Sequence, residues 1–589
     1  MDFLSSPIRE TIHRNGDDLL SAGLGLAGLR GPACTFPDPA APTAAELRRR
    51  ALQMNWTGIA DLGPLGGYGS VYGAVPDMPG REYHAFAKLP GAKHSHRVLT
   101  QVPDNFDANA RCLVVTVSSG SRGIYGAIAV AGAWGLAHGC AVAYTDKGAG
   151  SGYFDASSAS GVALDGTRAA AGGNVELEFV PDVYTASVEV ALKHAHSGDN
   201  PEGDWGRHLL QAAAFGLAML DRAFPHQAPF TPQNTRIIAA GLSNGAAAVL
   251  QAIGLDDAGW IDAAVAVAPN VNVPDHGRPG HGRPLYDYAT EAGVVMPCAL
   301  LHARFADIPL ARVRGDVPPA WVARAEKLRQ SGTLDGNDAA TRADEALQRL
   351  HAGGWSDAAI ATAASTTAFE LWRAFAVTYG SAYTRSAFGH MPAGFRFVAR
   401  DAQGQPRAPT AAERAAWWAE AAGIPPNAGV FIDEVATPGA AAADPTLPGQ
   451  LRLRDLWTSG NVESTRLRAS VAAAAVRLPR VDLPLFVVHG VEDGLIPAAF
   501  SSDAYVAWLR ANSRAPTYWP IAHAQHFDSF LAIPGFGDRY VPLLPYAYAA
   551  LDRAWEQLLR GTPMDAAQVP APQPRGSGML HKSALGFSA

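Results

Sequence analysis

Cysteine is scarce in this 589-residue chain: only Cys34, Cys112, Cys140 and Cys298 occur. They are scattered, with no C-x-x-C and no Cys/His spacing of the kind that builds a zinc site. Cys112 and Cys140 each open a strand-like apolar run and read as buried free thiols. The even count permits a disulfide, but nothing requires one. An excess of charge is missing too. A formal net charge of -7 is mild for this length, which argues against nucleic acid as a partner and gives no basic face for a membrane surface. No apolar run is long enough to span a membrane. The run 19–29 is short, glycine-rich and preceded by Asp17 and Asp18, unlike a signal peptide. A cytoplasmic protein is therefore expected, or a secreted one if a leader has been removed.

What is present is an ordinary globular composition, 48% hydrophobic and 17% charged, in a chain long enough for a large core and more than one folding unit. Short apolar or β-branched runs alternate with Ala-rich helical stretches. The pattern predicts an α/β fold with a mostly parallel sheet. Strands are expected over 83–89, 112–118, 140–145, 236–240, 263–268, 485–489 and 517–521. Helices are expected over 127–137, 183–195, 207–223 and 246–252. Between the strand ending near 269 and the one at 485 lie helix-like stretches over 318–330, 341–350, 358–377 and 411–422. That gap is too long for a loop. The expected organisation is an N-terminal region (1–75), a catalytic α/β domain (76–275 and 480–560), a mainly helical lid (276–479) and a peripheral or flexible tail (561–589). Aromatic residues of the lid, among them Trp372, Phe375, Tyr379, Tyr383, Phe388, Trp417 and Trp418, could face a cleft, but their helical spacing reads mostly as lid core.

Gly241-Leu242-Ser243-Asn244-Gly245 lies between a strand-like and a helix-like run. Strand, G-x-S-x-G, helix is the layout of a nucleophile elbow, where a serine hydroxyl is exposed on a tight turn. A serine hydroxyl needs a base, and the base needs an orienting acid. In α/β-hydrolases these follow in the order serine, acid, histidine. Asp493 follows the strand 485–489 on a loop where active sites of such sheets form, with Glu492 as its competitor. His526 lies on the loop after the last strand, with His523 as its competitor. His489 ends a strand and is expected to pack beneath the acid loop. The oxyanion donors expected are the N–H of Asn244 and the Ser119–Gly120–Ser121 turn, with the amides of Gly120 and Ser121 foremost. Arg122, next in that turn, is a candidate for binding a carboxylate end of the substrate. The glycine-rich stretch Thr145-Asp146-Lys147-Gly148-Ala149-Gly150-Ser151-Gly152-Tyr153 lacks both the P-loop order and the Rossmann spacing. It reads as a loop shaping the cleft, anchored by Asp146. No cofactor and no metal are expected.

The segments 118–127 (SSGSRGIYGA), 144–150 (YTDKGAG), 241–245 (GLSNG) and 524–528 (AQHFD) together resemble the 3-hydroxybutyrate oligomer hydrolase family. The resemblance runs from about Trp56 to about Leu559. More distantly the chain is similar to tannase and feruloyl esterase, which usually flank their triad with paired cysteines; no cysteine adjoins Ser243 or His526 here. The family resemblance implies an α/β-hydrolase fold and a serine esterase. It would cleave short (R)-3-hydroxybutyrate oligomers, a small ester substrate, to monomer in polyester degradation, and association with polyester granules would fit. Two rival readings are an aromatic-acid esterase of the tannase or feruloyl type and a catalytically inactive hydrolase fold that binds. Oligomeric state is not legible.

Overall fold

A computed structural model describes residues 1–276, 278, 280–420, 423–435, 443–561 and 568–587. Nine strands form the main sheet: β1 (Arg9–His13), β2 (Gly80–Ala87), β3 (His96–Pro103), β4 (Cys112–Val117), β5 (Ala141–Thr145), β6 (Arg236–Leu242), β7 (Ala263–Val267), β8 (Leu485–Gly490) and β9 (Thr517–Ile521). Their order across the sheet is β1-β2-β3-β5-β4-β6-β7-β8-β9. The strands from β5 onward pair in parallel, while β1–β2, β2–β3 and β3–β5 are antiparallel. From β2 to β9 this is the strand order of an α/β-hydrolase. Every residue of β4, β5, β7 and β8 is buried, as expected for parallel strands covered on both faces. Alternation then splits the core: Val114 faces one layer, while Leu113, Val115 and Val117 face the other. Each such side chain contributes about 1.5–3 kcal/mol on burial.

The N-terminal region joins this sheet. β1 pairs along the edge of β2, and α1 (Ala44–Ile59) starts at a capping box in which the Thr43 and Glu46 side chains each satisfy the other's backbone N–H. α2 (Pro201–Ala223) has proline in its first turn and Glu202 and Asp204 at its positive end. α3 (Asn244–Leu255) follows β6 directly. The expected helix over 127–137 opens with a π-turn at Ile128–Gly132 before Ala133–Ala137.

Two expectations about residues 76–275 are corrected. The stretch 183–195 is not one helix: Val190–Leu192 is a strand, all of it buried, paired antiparallel with Tyr153–Asp155 in a small four-stranded sheet, and the helix Lys193–His196 is a single turn. Partnering across strands overrode the helical spacing. Cys112 and Cys140 are not free thiols but a disulfide. Cys112 starts β4 and Cys140 immediately precedes β5, and the parallel register sets Leu113 opposite Ala141. The two Cα atoms are therefore only 4.6 Å apart, within bridging reach. Cys34 and Cys298 are free.

Between β7 and β8 the described residues hold eight α-helices and a three-stranded antiparallel sheet (Phe395–Arg400, Pro406–Arg407, Phe431–Glu434). Two of these helices matter most, α4 (Leu285–Ala299) and α5 (Leu371–Thr384). Positions 421 and 422 of the expected helix 411–422 lie outside the described residues; the helix runs Ala411–Glu420. Near the end of the chain, 568–587 packs against the body where a peripheral or flexible tail was expected. Leu580 and Leu585 are buried, and the Leu580 N–H donates to the Leu65 carbonyl at 3.0 Å. Positions 562–567, 588 and 589 of that expected tail lie outside the described residues.

Candidate active site

Ser243 occupies the turn between β6 and α3 with φ 61° and ψ -128°. A non-glycine residue there is strained, and the surrounding structure must hold it. The two glycines make the turn sterically feasible. A Cβ on Gly241 would lie 2.7 Å from the Gly245 carbonyl carbon, and one on Gly245 would lie 2.6 Å from the Ser118 and Val117 oxygens. The Ser243 N–H is held by the Val267 carbonyl of β7 at 2.8 Å.

Across from it, His526 Nε2 stands 3.0 Å from Ser243 Oγ, and His526 Nδ1 stands 2.6 Å from Asp493 Oδ2. Asp493 is fully buried on the loop after β8. Its other oxygen accepts the N–H groups of Leu495 and Ile496 at 2.8 and 2.7 Å. Burial by itself would raise this carboxyl, but the charge and hydrogen bond of His526, with His489 beside it, hold it below the ordinary carboxylate range. An ionised carboxylate can only accept, so His526 Nδ1 carries the proton and Nε2 presents its lone pair to the serine. His489 is buried under the acid loop, with Nε2 2.8 Å from the Ile496 carbonyl oxygen.

The competing residues face each other instead. His523, with φ 58°, gives its N–H to Glu492 Oε1 at 3.2 Å, and its ring Nδ1 lies 3.5 Å from the same oxygen. Neither reaches Ser243. The structure therefore brings together Ser243, Asp493 and His526, and leaves His523 and Glu492 as a separate, partly exposed pair.

A cavity of about 240 Å³ opens over the serine. Ser119, Gly120, Ser121, Arg122 and Asn244 all line it. No acceptor among the described residues takes the N–H groups of Ser119, Gly120, Ser121 or Asn244. They are free to bind an oxygen placed beside the serine. Arg122 is the only Lys, Arg, Asp or Glu in the described lining. Its guanidinium rests on the carbonyls of Met54 and Gly58 at 3.2 and 3.4 Å and makes no ion pair among the described residues. Burial lowers it to about 10, so it stays charged at neutral pH.

Much of the remaining wall is apolar and comes from segments far apart in sequence: Ile59 from α1, Leu285 from α4, Leu371 and Phe375 from α5, and Phe527 and Phe530 beyond the histidine; Tyr379 of α5, Asn427 and Ser529 add polar groups. Helical spacing marked Phe375 and Tyr379 as apolar positions but carried no signal that α5 lies over Ser243. Trp372, Tyr383, Trp417 and Trp418 are core. The glycine-rich loop 145–153 does not line this cavity. Asp146 does anchor it, accepting the Gly148 N–H at 3.1 Å. Lys147 points inward to Glu202 and to the Tyr379 hydroxyl. Among the described residues no group of three His, Cys, Asp or Glu is arranged to hold a metal ion, and no helix is long and apolar enough to cross a membrane.

Comparison with known proteins places the chain among relatives along almost its whole length. The family described as 3HB-oligomer hydrolase matches residues 3–588. A D-(-)-3-hydroxybutyrate oligomer hydrolase of Burkholderia ambifaria is 36% identical over 634 aligned residues, covering 98% of this chain and 89% of the relative. One of Cupriavidus metallidurans is 35% identical over 633, covering 98% and 87%. Among solved structures, the tannin acyl hydrolase from Aspergillus niger aligns over 92% of each chain at 12% identity, with a TM-score of 0.37, a likeness too distant to carry a functional argument. The match over residues 3–588 and the identities of its relatives show that the chain belongs to the 3HB-oligomer hydrolase family.

Proposed function

We propose that this protein is a carboxylic ester hydrolase that cleaves short (R)-3-hydroxybutyrate oligomers to the monomer through an acyl-enzyme on Ser243. The names of its relatives support the substrate. The observation that carries the mechanism is the hydrogen-bonded line from Asp493 through His526 to Ser243, 2.6 and 3.0 Å long, at the floor of a lined cavity.

Ser243 Oγ attacks the ester carbonyl as its proton passes to His526 Nε2, and Asp493 steadies the imidazolium. The charge that develops on the carbonyl oxygen meets the free N–H of Asn244 and those of the Ser119–Gly120–Ser121 turn. Collapse breaks the ester C–O bond, and His526 returns its proton to the departing 3-hydroxyl oxygen. Water then attacks the acyl carbonyl, giving a proton to His526. That proton goes back to Ser243 Oγ as the acid leaves. Arg122, the one guanidinium among the described lining residues, suits the free carboxylate at the end of an oligomer, and the insertion between β7 and β8 acts as the lid. A cavity smaller than most ligand clefts suits a short oligomer better than a polymer chain. The Cys112–Cys140 bridge favours an oxidising compartment, and so secretion, over a cytoplasmic site.

Product analysis with the dimer, trimer and polymer of 3-hydroxybutyrate, beside a feruloyl ester, tests this reading. Monomer release from dimer and trimer well above the other two is expected; preference for the feruloyl ester would overturn it.

A further inference from the structure

The phenolic oxygen of Tyr379 has two lone pairs and one proton. Lys147 Nζ donates to that oxygen at 3.2 Å, and Asn244 Nδ2 donates to it as well. With both lone pairs taken by N–H donors, the hydroxyl has only its own proton left to give. No acceptor for that proton is found among the described residues, although the side chain is buried and lines the Ser243 cavity. A hydroxyl whose lone pairs are both taken, on a residue that lines a cavity, is left with a proton for an acceptor that arrives with a ligand.

We propose that the Tyr379 hydroxyl is a substrate-binding donor that gives its proton to an oxygen of the ester bound at Ser243, with Lys147 and Asn244 as the positioning residues that aim it. The proposal rests on the serine esterase reading and adds to it a residue from the insertion. Lys147 is itself fixed. Its ammonium is buried, pairs with Glu202, and lies 4.6 Å from the Trp205 ring centre and 4.9 Å from that of Tyr379. Glu202 also receives His194 Nε2 at 2.7 Å. The cation behind the phenol oxygen polarises the O–H bond and strengthens it as a donor. Burial, with Glu202 nearby, holds the phenol well above its ordinary range, so it keeps its proton and does not serve as a base. Asn244 joins the two parts of the site. Its backbone N–H opens α3 beside the serine, while its side chain holds Tyr379.

Tyr379→Phe removes the hydroxyl and keeps the ring. With 3-hydroxybutyrate dimer, kcat/KM should fall about 10- to 100-fold, while a fluorophosphonate probe still labels Ser243, which shows that the serine machinery stands. A kcat/KM within about twofold of the parent, with labelling intact, overturns the proposal. An equal fall with p-nitrophenyl butyrate locates the accepting oxygen on the reacting ester; a fall confined to the dimer locates it on an oxygen that the dimer carries and p-nitrophenyl butyrate lacks. A second measurement keeps the hydroxyl in place. 3,5-Difluorotyrosine at 379 keeps the hydroxyl and its donated proton, so kcat/KM with the dimer should stay within about threefold of the parent where that of Tyr379→Phe falls. A fall as large as that of Tyr379→Phe overturns the proposal.

Discussion

Two buried histidine–carboxylate pairs meet near Asn244, and they differ in where the second imidazole nitrogen points. In His526–Asp493, 2.6 Å apart, that nitrogen faces Ser243 Oγ at 3.0 Å. In His194–Glu202, 2.7 Å apart, it is Nδ1, buried and without a hydrogen-bond partner. Both carboxylates are held below their ordinary range by their partners. On the proposed mechanism, then, the pairing alone does not make a general base; access to a nucleophile does. The second pair has a different task, since Glu202 also neutralises the buried ammonium of Lys147.

The sharpest way to break this comparison is to remove each histidine in turn. His526→Ala should lower kcat by about 10³-fold or more, measured on protein shown to be folded. His194→Ala should instead cost stability, about 1–3 kcal/mol, through the unpaired groups it leaves. Equal losses of kcat in the two variants would dissolve the distinction.

Glu202→Gln probes the second pair as a charge site. It leaves Lys147 buried without its counter-ion, which should cost about 3–5 kcal/mol in denaturant unfolding. The sign with pH follows from the carboxyl, which is lowered from 4.5 to about 2 because His194 and Lys147 outweigh a burial effect that by itself would raise it. A depressed carboxyl stabilises the fold above its unfolded value and loses that contribution as pH falls through the folded one. The gap between parent and variant should therefore shrink from pH 4.5 towards pH 2; a constant gap would show that Glu202 does not act through its charge. The smallest effect is expected for His523→Ala. That ring is partly exposed and 3.5 Å from Glu492, so turnover should change about twofold or less. A large loss would draw the first pair's boundary wider.

The part of the site made by local chain geometry was legible in the sequence. Gly241 and Gly245 announce a tight strand-to-helix turn, and Asp493 and His526 each follow a strand whose apolar run marks its end. What was not legible depends on long-range packing. Tyr379 and Phe375 read as helix core because periodicity finds the apolar face of α5 but not its neighbour across the cavity. Cys112 and Cys140 read as free because their pairing depends on β4 and β5 being adjacent in register. The small strand Val190–Leu192 was lost for the same reason, its partner Tyr153–Asp155 being distant in sequence. Lys147 stood in a conspicuous glycine-rich stretch, yet only the fold shows that it turns inward to Glu202 and Tyr379.

The central claim is that one serine carries the chemistry, and turnover of 3-hydroxybutyrate dimer by purified, folded Ser243→Ala tests it most directly. The account predicts monomer release reduced about 10³-fold or more, with the fluorophosphonate label lost. Release within about tenfold of the parent would contradict it.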